Sequence, residues 1–196
     1  MIKKQISIIS GALLLIISFI AVPMISNSED KKEKKIEEKY SAQLLSLTGT
    51  AGRHTGTLYM TMETWTPDEQ RIEFFNIFKE KGAEELQKVM RKNNAGYVRF
   101  SGTLSWPVNI AAKIPTDKGT LIRLVTERPI TFVEYRGGSR SRDYEFGLIE
   151  FLMPEQGEGE GMLIGAAKIT LDKDGKLIVE SLGMGDTKLL HVKKSK

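Results

Sequence analysis

Val108-Asn109-Ile110-Ala111-Ala112-Lys113-Ile114-Pro115-Thr116-Asp117-Lys118-Gly119-Thr120-Leu121-Ile122-Arg123-Leu124-Val125-Thr126 sets two strand-like runs, Val108 to Ile114 and Leu121 to Thr126, on either side of Asp117-Lys118-Gly119. An Asp/Gly turn between two such runs is hairpin chemistry, so the flanking strands should pair antiparallel. Asp172-Lys173-Asp174-Gly175 repeats the signal between Met162 to Leu171 and Lys176 to Leu182. Tyr97 to Phe100, Ile130 to Tyr135, Tyr144 to Met153 and Lys188 to Val192 have the same strand composition. Joined by short connections, these runs predict a long antiparallel meander, and curling it would hide most of its edges. Pro129, after Arg128, lacks the donor a central ladder needs and should open an edge strand or a turn into Ile130 to Tyr135.

Upstream, Thr57 to Trp65 alternates Leu58, Met60 and Met62 against Tyr59, Thr61, Glu63 and Trp65, the period of a half-buried strand. Thr66-Pro67-Asp68-Glu69 reads as a helix start, with Thr66 as cap, Pro67 at the first helical position and Glu69 completing a capping box. Ile72, Phe75 and Phe78 share a face, with Phe74 beside them, and Gly82 is placed to end that helix. Ala83 to Lys92 then reads as a second helix turning Leu86, Val89 and Met90 inward. The predicted fold class is α+β: a curled antiparallel β-sheet or barrel-like meander with a two-helix insertion after the first long strand.

Leu44, Leu45 and Leu47 form a short apolar segment before the glycine-containing loop Gly49 to Gly56, so a single globular domain is expected over residues 44–196. Residues 29–43 read as a charged spacer, because Glu29 to Lys39 has Ile36 as its only aliphatic side chain. Residues 1–28 place Lys3 and Lys4 before an uncharged, aliphatic-centred run and read as an export signal. Ser26-Asn27-Ser28 is a weaker cleavage site than Ala-x-Ala. Cleavage is the favoured reading; uncleaved, residues 6–22 would tether the chain to the membrane. Lys31, Lys32, Lys34, Lys35 and Lys39 beyond the apolar run oppose translocation by the positive-inside rule. The expected address is therefore exported: periplasmic, extracellular, or anchored at the outer face of the cytoplasmic membrane.

The 196 residues contain no cysteine, which removes disulfides, thiolate catalysis, Cys-based zinc sites and a lipid anchor through Cys. A net charge of +4, part of it from Lys3 and Lys4, leaves the mature domain nearly balanced, without the basic footprint of a nucleic-acid binder. Only His54 and His191 are present, and no Gly-x-Ser-x-Gly occurs, so a histidine-dependent triad or a zinc centre lacks its parts. No Walker or dinucleotide fingerprint implies a cofactor, and none is expected.

Three groups of residues could still carry chemistry. Arg136-Gly137-Gly138-Ser139-Arg140-Ser141-Arg142 is the strongest ligand-site candidate by composition: Arg136, Arg140 and Arg142 could hold a phosphate, sulfate or acidic sugar. A solvated loop, with Arg142 paired to Asp143 or Glu145, is the plainer reading and the favoured one. Glu155 and Gly157-Glu158-Gly159-Glu160-Gly161 could wrap a calcium ion, but the loop lacks Asp or Asn at calcium-loop offsets and reads better as a solvated connection. Asp172 to Gly175 begins like a calcium loop without its later ligands. Glu63, Glu134, Glu145 and Glu150 fall on predicted strands, where a pair about 5–10 Å apart could serve glycoside hydrolysis. Their alternation with apolar neighbours favours solvent-facing glutamates, and Trp65, Trp106 and the phenylalanine stripe read as core before sugar platform.

Gly56-Thr57-Leu58 with Trp65, Thr126-Glu127-Arg128-Pro129-Ile130-Thr131-Phe132, Asp143-Tyr144-Glu145-Phe146 and the Gly157 to Gly161 repeat before Met162 give the chain its likeness to known sequences. In these it resembles an uncharacterised family of exported bacterial β-rich proteins. The resemblance implies export and a shared fold, and no substrate or catalytic residue. The expectation is a non-enzymatic exported or envelope-associated protein that binds a small apolar or anionic ligand, or an envelope partner protein. The competing expectation is a small hydrolase of envelope polymers acting through glutamates such as Glu134 and Glu150.

Overall fold

A computed structural model describes residues 37–46, 54–130, 144–181 and 187–195. In chain order the elements are β1 (Glu38–Ser46), β2 (His54–Met62), α1 (Asp68–Met90), β3 (Gly96–Phe100), β4 (Ser105–Val108) and β5 (Ile110–Thr116). They continue with β6 (Gly119–Thr126), β7 (Phe146–Met153), β8 (Gly159–Leu171), β9 (Leu177–Ser181) and β10 (Thr187–Lys194). All ten strands join one sheet in the order β4-β3-β2-β1-β10-β8-β7-β6-β5, with β9 added to β8, and every pairing is antiparallel. The β5–β6 pair turns at Asp117-Lys118, and the β8–β9 pair turns at Asp172 to Gly175. In the second turn the Asp172 carboxylate accepts the amides of Asp174 and Lys176, each at 2.8 Å.

The sheet curls into a nearly closed barrel. Its two end strands, β4 and β5, are consecutive in the chain with Asn109 alone between them, and β4 lies against β6. The run Val108 to Ile114, expected as one strand, is therefore two strands meeting at a corner. Asn109 is 2% exposed, and the corner depends on its hydrogen bonds. Its backbone amide donates to the Val125 carbonyl at 2.9 Å, and its Nδ2 donates to the carbonyls of Met90 and Asn93, each at 2.9 Å. Its Oδ1 accepts the Glu127 amide at 2.8 Å, while its own carbonyl accepts Nδ2 of Asn93. One side chain thus ties the seam of the barrel to the end of α1.

Period-two alternation sorts the side chains to two faces. Leu58, Met60 and Met62 of β2, Leu124 of β6, and Ile149 and Phe151 of β7 point inward and are buried. Tyr40 meets Phe151 edge to face, with ring centroids 5.4 Å apart. On the outer side, Phe146 and Leu148 of β7 and Ile164 of β8 pack under Phe74, Phe78, Leu86 and Met90 of α1. β7 is covered on both faces, which is why its sequence is almost continuously apolar.

The helical insertion is one element in place of the expected two. Gly82 adopts the non-helical φ 82° and ψ −175°, so the residue expected to end the first helix is where α1 kinks, with a helical stretch on either side. The expected capping box is also replaced. Pro67 occupies the cap position without a side-chain bond, and the Thr66 hydroxyl accepts the Ala111 amide at 3.0 Å while the Thr66 amide donates to the Ala111 carbonyl at 2.8 Å. Thr66 fastens the start of α1 to β5.

Residues 38–43, expected in the charged spacer, belong to the sheet: β1 pairs with β2 on one side and β10 on the other. Most of the expected strand Ile130 to Tyr135 lies outside the described residues, although the Ile130 amide donates to the Gly165 carbonyl at 2.7 Å. Among the described residues no helix is long and apolar enough to cross a membrane. Replacing Asn109 by alanine leaves several buried backbone groups unpaired at once. The N109A protein should lose about 2–4 kcal/mol of unfolding free energy, measured by urea denaturation with an unchanged m-value.

Candidate functional site

The glutamates proposed from sequence do not converge among the described residues. Glu150 faces outward from β7, between the inward Ile149 and Phe151, and accepts the Arg123 guanidinium directly across the strand pair at 2.6 Å. Glu63 follows β2 and Glu145 precedes β7, at strand ends and not within ladders. Glu134 lies outside the described residues, as do Arg136, Arg140 and Arg142. Trp65 and Trp106 are packed against the interior, the second against Phe100 with centroids 5.4 Å apart.

The structure assembles a different cluster at one mouth of the barrel, from residues distant in sequence. Glu38, the first residue of β1, turns inward because Tyr40, Ala42 and Leu44 do so, and its side chain is 11% exposed. Its carboxylate accepts four donors: Lys113 Nζ at 2.5 Å, the Tyr40 hydroxyl at 2.7 Å, Lys194 Nζ at 2.8 Å and the Trp65 indole at 3.1 Å. Lys113 is on β5 and Lys194 on β10, and β1 does not neighbour β5 in the sheet, so the Glu38–Lys113 bond spans the mouth. Lys113 also stands 4.3 Å from the Trp65 ring centre, a cation–π contact that holds it in place.

Burial pushes the Glu38 carboxyl up, but the hydrogen bonds from Lys113, Lys194, Tyr40 and Trp65 outweigh it and bring its pKa down to about 2. The same pair acts oppositely on Tyr40: burial and the adjacent Glu38 carboxylate drive the phenol well above its usual value. A carboxylate so fully engaged is a poor proton acceptor, and a phenol so raised is a poor acid. The cluster holds β1, β5 and β10 together at the mouth.

Beside this plug lies an open cleft of about 620 Å³. Tyr40, Ile122 and Met153 line it from the barrel interior, and Thr120, Glu158 and Lys193 are among its polar lining. Glu158 binds Lys193 Nζ at 2.8 Å and also the imidazole of His191, so this glutamate of the expected solvated loop is engaged by neighbouring bases, which lower its pKa. His191 takes φ 52° in a bulge of β10, where the register shifts against both β1 and β8. The glycines of this hairpin have a packing reason. A Cβ on Gly161 would lie 2.1 Å from the Glu150 carbonyl oxygen, and one on Gly159 would lie 2.4 Å from that of Leu152. Close approach of β7 and β8 explains Gly159 and Gly161 without ion wrapping.

Glu38, Lys113 and Lys194 were missed by motif reasoning because no local spacing joins them. The one available signal is parity: the alternation of Tyr40, Ala42 and Leu44 extends backward to put Glu38 inside. Because the folded pKa is depressed, the stabilisation by Glu38 is present above its ordinary value near 4.5 and is lost as pH falls toward about 2. E38Q should cost about 1–2 kcal/mol at pH 7, after allowing for the solvent screening of both lysines. In urea titrations that deficit should shrink progressively below pH 4.5. G161A should cost about 1–3 kcal/mol at either pH, since the clash is with backbone.

No family model, curated protein or solved structure matches this chain.

Proposed function

We propose that this protein is an exported, envelope-associated binding protein without catalytic activity, and that a small polar ligand meets it at the barrel mouth. Export rests on the sequence of residues 1–28. The observation that carries the binding reading is where space occurs. Bulky side chains such as Met60, Met62, Phe151 and Leu163 occupy the interior, each no more than 1% exposed, so an apolar guest within the barrel has no support. The cleft beside Glu38 is open, and its lining carries both signs of charge: Lys113, Lys193 and Lys194 against Glu155 and Glu158. That pattern suits a small zwitterion better than a simple anion, because each charged end can join an ion pair already formed there, Glu38 with Lys113 and Lys194 or Glu158 with Lys193.

The test is a two-dimensional amide NMR titration of the full chain in neutral detergent with free amino acids and with phosphoethanolamine. Shifts should be confined to residues around Thr120, Glu158, Lys193 and Lys194, and should be lost in a K193E/E158K double variant. Absence of any localised shift at about 10 mM of either probe would overturn the reading, since binding weaker than that has almost no standard free energy to recognise chemistry.

A further inference from the structure

We infer that the outer face of β3, β2, β1 and β10 is a docking surface for an acidic polysaccharide. α1 covers β7 and β8 on the other side of the barrel, and among the described residues no helix lies on this face. Tyr59 is 39% exposed there. The registry places Arg99, Tyr59, Ser41 and Lys193 in one row across the four strands. A second row runs through Leu45 and Lys188.

The charged side chains at the outward strand positions of this face have one sign. No outward position of β1, β2, β3, β4 or β10 carries Asp or Glu, whereas Lys39, Arg99, Lys188 and Lys193 all point out. Lys39 and Lys193 are partnered from beyond the face, by Glu37 at 3.0 Å and Glu158 at 2.8 Å. Arg99 and Lys188 have no carboxylate partner among the described residues. Arg99 rests over the Tyr59 ring, 5.2 Å from its centre, which fixes a guanidinium whose planar fork matches a carboxylate.

The spread of the cations selects a polymer. β3 and β10 are three strand spacings apart, about 14 Å, too far for one small anion to reach both Arg99 and Lys188. Between them stand Ser41, Gln43 and Thr57, short polar groups suited to sugar hydroxyls. A nucleic acid fits less well, because stacking bases need open rings and Arg99 already lies over the Tyr59 ring. Uronate chains offer carboxylates at intervals with hydroxyls between them.

The probe is polygalacturonate in affinity electrophoresis of the full chain in neutral detergent, with dextran and poly(dT) run in parallel. Retardation by polygalacturonate alone is expected, and R99E/K188E should weaken it at least about tenfold. The control K79E/K92E makes the same charge change on and just after α1 and should leave retardation unchanged. Equal retardation by dextran, undiminished binding by R99E/K188E, equal loss in K79E/K92E, or stronger retardation by poly(dT) would each overturn the inference. All four side chains are exposed; should R99E/K188E melt early, R99Q/K188Q is read by the same criteria. Lys193 borders both this face and the cleft, but Arg99 and Lys188 do not line the cleft, so the R99E/K188E result leaves the zwitterion titration independent.

Discussion

The barrel depends on the hydrogen bonds of one buried amide. An antiparallel sheet of this many strands will coil, but coiling does not by itself bring its end strands together. Here the chain passes from one end of the strand order to the other across Asn109 alone, and every polar atom of that residue finds a partner. A buried network of this kind is strong when complete and costly when broken, because each orphaned group loses water without replacing it. Asn109 also takes the carbonyls of Met90 and Asn93, so the end of α1 and the seam of the barrel are positioned by the same side chain. The packing of Phe74, Phe78, Leu86 and Met90 over β7 and β8 follows from that placement.

Features set by local chemistry were legible in the sequence. The turns at Asp117 and Asp172 declare themselves because an Asp/Gly pair solves a backbone problem within a few residues, and both hairpins form. Alternation in Thr57 to Met62 sorts to the two faces of β2 as its period requires. Features set by distant contacts were not legible. Asn109 looks like a polar interruption in an apolar run, and nothing near it announces a corner. Thr66 has the composition of a helix cap and the position of one, yet an unpaired amide on β5 competes for its hydroxyl and wins. β1 was hidden for a related reason: Glu38 and Lys39 continue the charged run before them, and charge density masks the start of a strand.

The same division explains the site. Glycines between glutamates suggest a flexible acidic loop when read along the chain, but Gly159 and Gly161 are required by the backbone of β7 opposite them. Glu158 then answers to Lys193 and His191, which the bulge in β10 brings alongside. Glu38 acquires its low pKa because β5 delivers Lys113 from across the mouth and the neighbouring β10 delivers Lys194, with Tyr40 and Trp65 as further donors. Four donors around one carboxylate are a closure, and that closure stands where a ligand would otherwise enter the barrel.

A protein that uses its interior polar groups to hold itself together must meet other molecules on its outside. Glu38 is spent on the mouth, Asn109 on the seam and Thr126 on the β6–β7 connection, where its hydroxyl donates to the Arg128 carbonyl at 2.6 Å and accepts the Gly147 amide at 3.1 Å. Arg123 and Glu150 neutralise each other on the outer surface beyond the helix-covered strips of β6 and β7. Arg99 and Lys188 stand on the opposite face, where no outward strand position carries an acid to meet them. Surface charges are ordinarily interspersed in sign, which limits nonspecific association. The departure at Arg99 and Lys188 is what the proposed acidic polymer would complement, carboxylate by carboxylate, across the strands between them.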